Sequence, residues 1–191
     1  MKTLKKIFHI IVLSLILYVP FSFAQAKKYT TNEIVAMVKQ TNINIENVMI
    51  KNARDHQMLV ASDLDNVITS DFFGVVIEPG GDMINKNQYI QMVNQNFTYG
   101  FSDVKRFITH IQIYGDVVVE QGLIVLYANG APVIAFACMG TLLIQDDGTT
   151  KYNAGTAPMV QINTDLLNRI SYYTANPSAL YHVEVRYDKI K

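Results

Sequence analysis

Between residues 104 and 145 lie two tight-turn dipeptides, Gly115-Asp116 and Asn129-Gly130, each set between β-branched and aromatic runs. Dipeptides of this kind close two-residue hairpin loops, so 104–114, 117–127 and 132–145 are expected to form an antiparallel meander. Strand alternation then assigns the faces. One face collects Phe107, Thr109, Ile111, Ile113, Val118, Glu120, Gly122, Ile124, Leu126, Val133, Ala135, Ala137 and Met139. The other collects Ile108, His110, Gln112, Tyr114, Val119, Gln121, Leu123, Val125, Tyr127, Ile134, Phe136, Cys138 and Leu142. A one-residue bulge would exchange the two sets beyond it.

The oddity of the first face is Glu120, beside Gly122 and near Ala135 and Ala137 across the ladder. Small side chains around a carboxylate leave room for a ligand, and a carboxylate in such a place suits acid–base work. The alternative pairs Glu120 with a Lys or Arg, or points it to solvent through a bulge. The second face is apolar at its centre, whereas a sheet with helices on one side and water on the other should be polar there. Either the C-terminal segment or a second copy must cover it, and a homodimer through the sheet is favoured.

Residues 1–26 combine Lys2, Lys5 and Lys6, an apolar run from Ile7 to about Val19, Pro20 and the Ala24-Gln25-Ala26 triplet. This is the pattern of a cleaved secretory signal peptide, which places the protein in the periplasm or outside the cell. The run is short for a membrane span, and no later segment approaches that length, so no membrane association is expected after cleavage. The leader holds three of the sixteen basic residues and none of the sixteen acidic ones, leaving the rest slightly acidic. Without a Lys/Arg cluster to neutralise phosphates, nucleic acid is excluded as a partner. Cys138 is the only cysteine, so no internal disulfide can form, and it reads as a small buried hydrophobe.

Ahead of the meander, helical spacing is expected over 32–39 and again over 43–61, with a short third helix through Leu64, Val67 and Ile68. A strand over 72–77 and a turn over 78–82 follow, then a helix capped by Asn85 or Asn87 and running through Tyr89, Ile90, Met92, Val93 and Phe97. Two further strands are expected at about 150–162 and 168–174, and 181–191 reads as a loose strand or a disordered tail. Helices first and a meander after define an α+β domain with its helices on one sheet face.

Several segments in this order resemble the nuclear transport factor 2-like superfamily, nearest its SnoaL-like branch. They are Ser62-Asp63-Leu64-Asp65 with Ile68 and Ser70-Asp71-Phe72, Glu78-Pro79-Gly80-Gly81 with 85–90, Ile113-Tyr114-Gly115-Asp116-Val117-Val118-Val119, and Asn168-Arg169-Ile170 with Tyr172-Tyr173. The resemblance covers about 45–175. It implies a cone-shaped barrel of N-terminal helices packed on a curved antiparallel sheet, with a pocket between them. The organisation expected is a signal peptide at 1–26, an N-terminal extension or helix at 27–44, a SnoaL-like domain at 45–175 and a C-terminal tail at 176–191.

The same resemblance aligns Glu78, before Pro79, with the general-base aspartate of ketosteroid isomerases, and lets Glu120 serve as an acid group. The tyrosine such enzymes carry on the long helix is absent; His56 stands in that region. The carboxylate that SnoaL-type cyclases carry near the last strand has no counterpart, since Thr174-Ala175-Asn176 follows Tyr173.

Two functional readings result, with a filled, purely structural dimer as a third. The first is an exported domain that holds a small apolar molecule in the cone, its wall built by Phe73, Tyr89, Phe97, Ile111, Gly122, Ala137 and Met139. The second is a cofactor-independent acid/base isomerase, cyclase or dehydratase using Glu78, Glu120 and His56, which requires at least two of these groups at one substrate position. His56 and His110 lack metal-ligand spacing, no Gly-x-Ser-x-Gly turn occurs, and Gly80-Gly81 is not followed by the Lys-Ser/Thr of a phosphate loop. No metal or cofactor is expected.

Overall fold

A computed structural model describes residues 29–55, 57–75, 83–95 and 100–186. The expected signal peptide, His56, Glu78 and Phe97 lie outside them. The unit from Thr31 onward opens with one helix, α1 (Thr31–Asp55), and a 3-10 turn (Ala61–Leu64). Then come β1 (Ile68–Val75), β2 (Met83–Asn85) and α2 (Lys86–Gln95). The long strands β3 (Asp103–Tyr114), β4 (Val117–Ala128) and β5 (Ala131–Ile144) follow. β6 (Thr150–Thr156), β7 (Met159–Val160), α3 (Thr164–Ala175), a 3-10 turn (Pro177–Ala179) and β8 (His182–Val185) complete the unit.

The strands form one mixed sheet in the order β2-β1-β6-β5-β4-β3-β8, with β7 paired to β5. β1–β6 and β3–β8 are parallel; the other pairs are antiparallel. The meander closes where the turn dipeptides require it. Gly115 has φ 60°, and Asn129 and Gly130 have φ 51° and 77°, the left-handed backbone that such loops demand. The architecture is α+β, with α1 on β3 and β6 and α2 on β1 and β2.

The two N-terminal helices expected on either side of residues 40–42 are one. Thr41, Asn42 and Asn44 are poor helix formers, but Asn42 and Thr41 point inward and their side chains bond to the sheet and to the preceding turn, so packing overrides propensity. Instead of a third helix, residues 61–67 make a 3-10 turn and its exit, and Ile68 already belongs to β1. Asn85 does cap α2: its Oδ1 accepts from Gln88 N at 3.0 Å while Gln88 Oε1 accepts from Asn85 N at 2.9 Å, a reciprocal capping box.

The strand expected at 168–174 is instead the core of α3. Leu166 and Ile170 are buried one helical turn apart and Tyr173 packs beside them, while Asn163 caps the helix by accepting from Leu166 N at 2.9 Å. Residues 181–186 contribute β8, which extends the sheet beyond β3.

Face assignment departs from simple alternation at two bulges. Between Ile108 and His110 the β3–β4 register slips, so Ile111 faces Glu120 but Ile108 faces Gly122 and Arg106 faces Ile124. Past the Asn129-Gly130 turn a second slip sets Tyr127 against Pro132 but Leu126 against Ile134. Each extra residue moves one flank to the opposite side of the sheet. Arg106, Ile134, Phe136 and Cys138 therefore join Glu120, while Phe107, Ala135 and Ala137 move to the other face.

The apolar centre of that other face is covered by the chain itself. Phe107, Leu123, Val125 and Ala135 are buried against Leu166 and Ile170 of α3, with Tyr127, Val160, Ile162, Tyr173 and Leu180 around them. The expectation of a dimer rested on this face lacking a cover; α3 supplies one. No helix among the described residues is long and apolar enough to cross a membrane.

Candidate functional site

α1 lays a stripe of Ile34, Val38, Thr41, Asn42 and Ile45 on the sheet, all buried and spaced by three or four residues. Two of these polar side chains meet strands directly. Thr41 Oγ1 lies 2.8 Å from both the carbonyl oxygen and the hydroxyl of Thr150. Asn42 Nδ2 donates to Val38 O at 3.0 Å and to Glu120 Oε2 at 2.8 Å.

Glu120 is completely buried, and Asn42 is one of three donors on it. Arg106 Nη2 donates to Glu120 Oε1 at 3.0 Å, and the Tyr152 hydroxyl donates to the same oxygen. Arg106 also donates from Nε to Asn42 Oδ1 at 2.6 Å and from Nη2 to Tyr152 Oη at 2.8 Å, with its guanidinium over the Tyr152 ring. Charge-assisted bonds of this density satisfy the carboxylate and lock four side chains from α1, β3, β4 and β6 into one cluster. Gly140, the β5 neighbour of Glu120, makes room for it: a Cβ there would lie 2.7 Å from the Tyr152 ring.

Electrostatics follow the burial. Burial alone would lower the Arg106 pKa, but its interactions with Tyr152 and Glu120 outweigh this and hold the guanidinium firmly protonated. Burial drives the Tyr152 hydroxyl well above its ordinary value, opposed by Arg106 and assisted by Glu120, so it remains a neutral donor. Burial raises Tyr89 and Cys138 in the same sense. The thiol is kept protonated, away from nucleophilic character.

Above this cluster lies a cavity of about 510 Å³ between the helices and the sheet, within the range of small-molecule sites. Ile45 and Met49 of α1, Tyr89 and Met92 of α2, Phe72 of β1 and Phe136 of β5 build much of its apolar wall. Arg106, Tyr152 and Thr156 bring polar atoms to it. Among the described residues no group of three His, Cys, Asp or Glu side chains could hold a metal ion.

Of the residues expected to contact a ligand, Tyr89 and Met139 line the cavity. Glu120 sits behind the lining, screened by Arg106 and Tyr152. Ile111 is fully buried as the register partner of Glu120, off the cavity wall. Gly122 stands at the first bulge, where a Cβ would fall 2.2 Å from Phe107 O; its role there is close strand approach. Ala137 is on the reverse face, opposite Leu123, and donates its N–H to Pro158 O. Phe73 is 41% exposed, and Phe72, one residue earlier, takes the inward position edge-on to Tyr89 with 5.6 Å between ring centroids.

Arg106, Asn42 and Tyr152 are the site residues that sequence reading did not single out. One signal for Arg106 was present. Apolar side chains fall at even positions through Val104 and Ile108 and at odd positions from Ile111 to Ile113, and that change of parity marks the bulge.

No protein-family model matches the chain, and no curated protein matches it in sequence. Solved structures do match. An NTF-2 like protein of unknown function from Silicibacter pomeroyi DSS-3 aligns at TM-score 0.51 and 15% identity, covering 69% of this chain and 100% of that one. A conserved protein from Planctomyces limnophilus DSM 3776 aligns at TM-score 0.52 and 14% identity, covering 69% of this chain and 99% of that one. At these identities the likeness concerns the fold alone. With two helices closing a cavity against a bulged meander, the chain has the NTF2-like fold.

Proposed function

We propose that this protein is an exported binder of a small, largely apolar molecule held in the cavity, with no chemistry of its own. The observation that carries this reading is the pairing of a ligand-sized apolar cavity with a carboxylate that three donors already engage. A general base must offer a lone pair to the substrate proton, and Glu120 is turned away from the cavity behind Arg106 and Tyr152. The methionines of the wall, Met49, Met92 and Met159, suit ligands of varied shape because the thioether chain is flexible and polarisable. Export rests on the leader pattern of residues 1–26.

Two measurements on one preparation test the reading. Protein recovered from cells that express the full chain should begin at Lys27 by mass spectrometry and appear outside the cytoplasm. The same protein should be stabilised in a thermal-shift screen of apolar compounds; a ligand at a hundred times its dissociation constant adds about 2.7 kcal/mol. A full-length, cytoplasmic product would remove export, and a flat screen would remove the ligand site.

A further inference from the structure

The hydrogen-bonding inventory of the cavity leans toward donors, because its one charged group can only donate. Arg106 spends Nε on Asn42 and Nη2 on Glu120 and Tyr152, and its Nη1 has no partner among the described residues. The side chain is only 6% exposed and lines the cavity, so Nη1 is the edge of the guanidinium left for an occupant. Thr156 Oγ1, also on the lining, is buried without a hydrogen-bond partner, the only such atom among the described residues. The Tyr89 hydroxyl, kept neutral by burial, is a further polar group on the lining. Arg106 can only donate, the two hydroxyls can donate or accept, the Gln95 amide on the rim does both, and no carboxylate lies on the described lining.

Charge is one-sided in a different way. Arg106 is the single charged residue of the described lining, and Glu120 at 3.0 Å already balances it. An incoming carboxylate would leave a net negative charge in apolar surroundings with no second cation to offset it. A bidentate grip on a carboxylate is also closed, because Nε and Nη2 are committed to Asn42, Glu120 and Tyr152.

Building on the binding role given above, we infer that the occupant is an uncharged molecule with an apolar body and at least one hydrogen-bond acceptor, such as a ketone, ester or amide oxygen, and that carboxylates are rejected. The acceptor satisfies donors that would otherwise stay buried and unpaired, which is where discrimination against a non-accepting analogue arises.

The test compares acetylnaphthalene, naphthoate and ethylnaphthalene, substituted at one ring position and nearly equal in shape, by titration calorimetry on the purified protein. The ketone should bind about tenfold or more tighter than either analogue, the discrimination expected of one well-made buried hydrogen bond. Because Arg106 variants would disturb the buried ion pair, Tyr89→Phe and Thr156→Val carry the second arm. At least one should reduce ketone affinity while leaving the ethyl analogue unchanged. Equal binding of ketone and ethyl analogue, or tighter binding of naphthoate, would overturn the inference and leave the binding role intact. Failure of all three to bind would remove both.

Discussion

The two faces of the same sheet meet their helices in different ways. On the far face, α3 presses Leu166 and Ile170 onto Phe107, Leu123, Val125 and Ala135, and the contact is an apolar cluster. On the near face, α1 meets the strands partly through Thr41, Asn42 and the Arg106–Glu120–Tyr152 cluster, and beyond that cluster lies open volume. A filled face gains stability from area and shape without direction. A face that keeps a cavity forgoes that area where the ligand goes, so directional bonds hold the helix at a fixed height above the sheet. The comparison assigns stability without specificity to one side and geometry to the other.

The largest effect should come from halving the ion pair. Arg106→Met leaves Glu120 buried without its cation, and loss of about 3–5 kcal/mol is expected in urea denaturation. Adding Glu120→Gln to that variant should recover part of the loss, since no uncompensated charge then remains. A single variant as stable as wild type would mean that the cluster does not hold the near face.

Next in size is the far face. Leu166→Ala and Ile170→Ala each open a cavity in a packed cluster and should cost about 2–5 kcal/mol, read from the same denaturation curves. Because neither residue lines the near-face cavity, affinity for the best compound of the screen should stay within error. A fall in affinity would show the two faces to be coupled through the strands they share.

A smaller change is expected from Thr41→Val, which removes the hydroxyl that α1 places on Thr150. Loss of one buried hydrogen bond of this kind costs about 1–2 kcal/mol, and thermal denaturation should show it as a modest fall in midpoint. The variant should also weaken ligand binding, in contrast to Leu166→Ala, because α1 forms one wall of the cavity. Weakened binding after a smaller stability loss is the pattern that separates the near face from the far one.

These contrasts also bear on what the amino-acid order made legible. The meander was written in the turn dipeptides, because Gly115, Asn129 and Gly130 occupy backbone that few other residues adopt. Glu120 stood out as a charge among apolar neighbours. Its true partners did not, since they arrive from three other elements, and two bulges exchanged the faces on both flanks. One slip took Arg106 into the site and Phe107 out of it; the other did the same for Cys138 and Ala137. The bulge in β3 is signalled by the adjacent apolar pair Phe107-Ile108, but the one beyond Pro132 has no comparable mark. α3 was read as a strand because Ile170, Tyr172 and Tyr173 favour strands, although Leu166, Ile170 and Tyr173 already lay at helical spacing.

The smallest predicted effect concerns pH and again separates the faces. Glu46 of α1 accepts a hydrogen bond from the backbone N–H of Arg106, and burial raises its pKa above the ordinary carboxylate value even though that bond and the Arg106 charge oppose the shift. A carboxyl group that is harder to ionise in the folded state favours folding while protonated. Its contribution is complete below the unfolded-state value of about 4.3 and is lost as pH rises through the higher folded-state value. Glu46→Gln cannot ionise and keeps an oxygen to accept the Arg106 N–H. Relative to wild type, its stability should therefore improve as pH rises through that window, measured by urea denaturation at steps from pH 4 to pH 7. The far-face cluster contains no titratable carboxylate, so Ile170→Ala should run parallel to wild type across the same range. If Glu46→Gln instead lost ground as pH rose, an ionised Glu46 would be stabilising the folded state, and the N–H of Arg106 would be holding a charge.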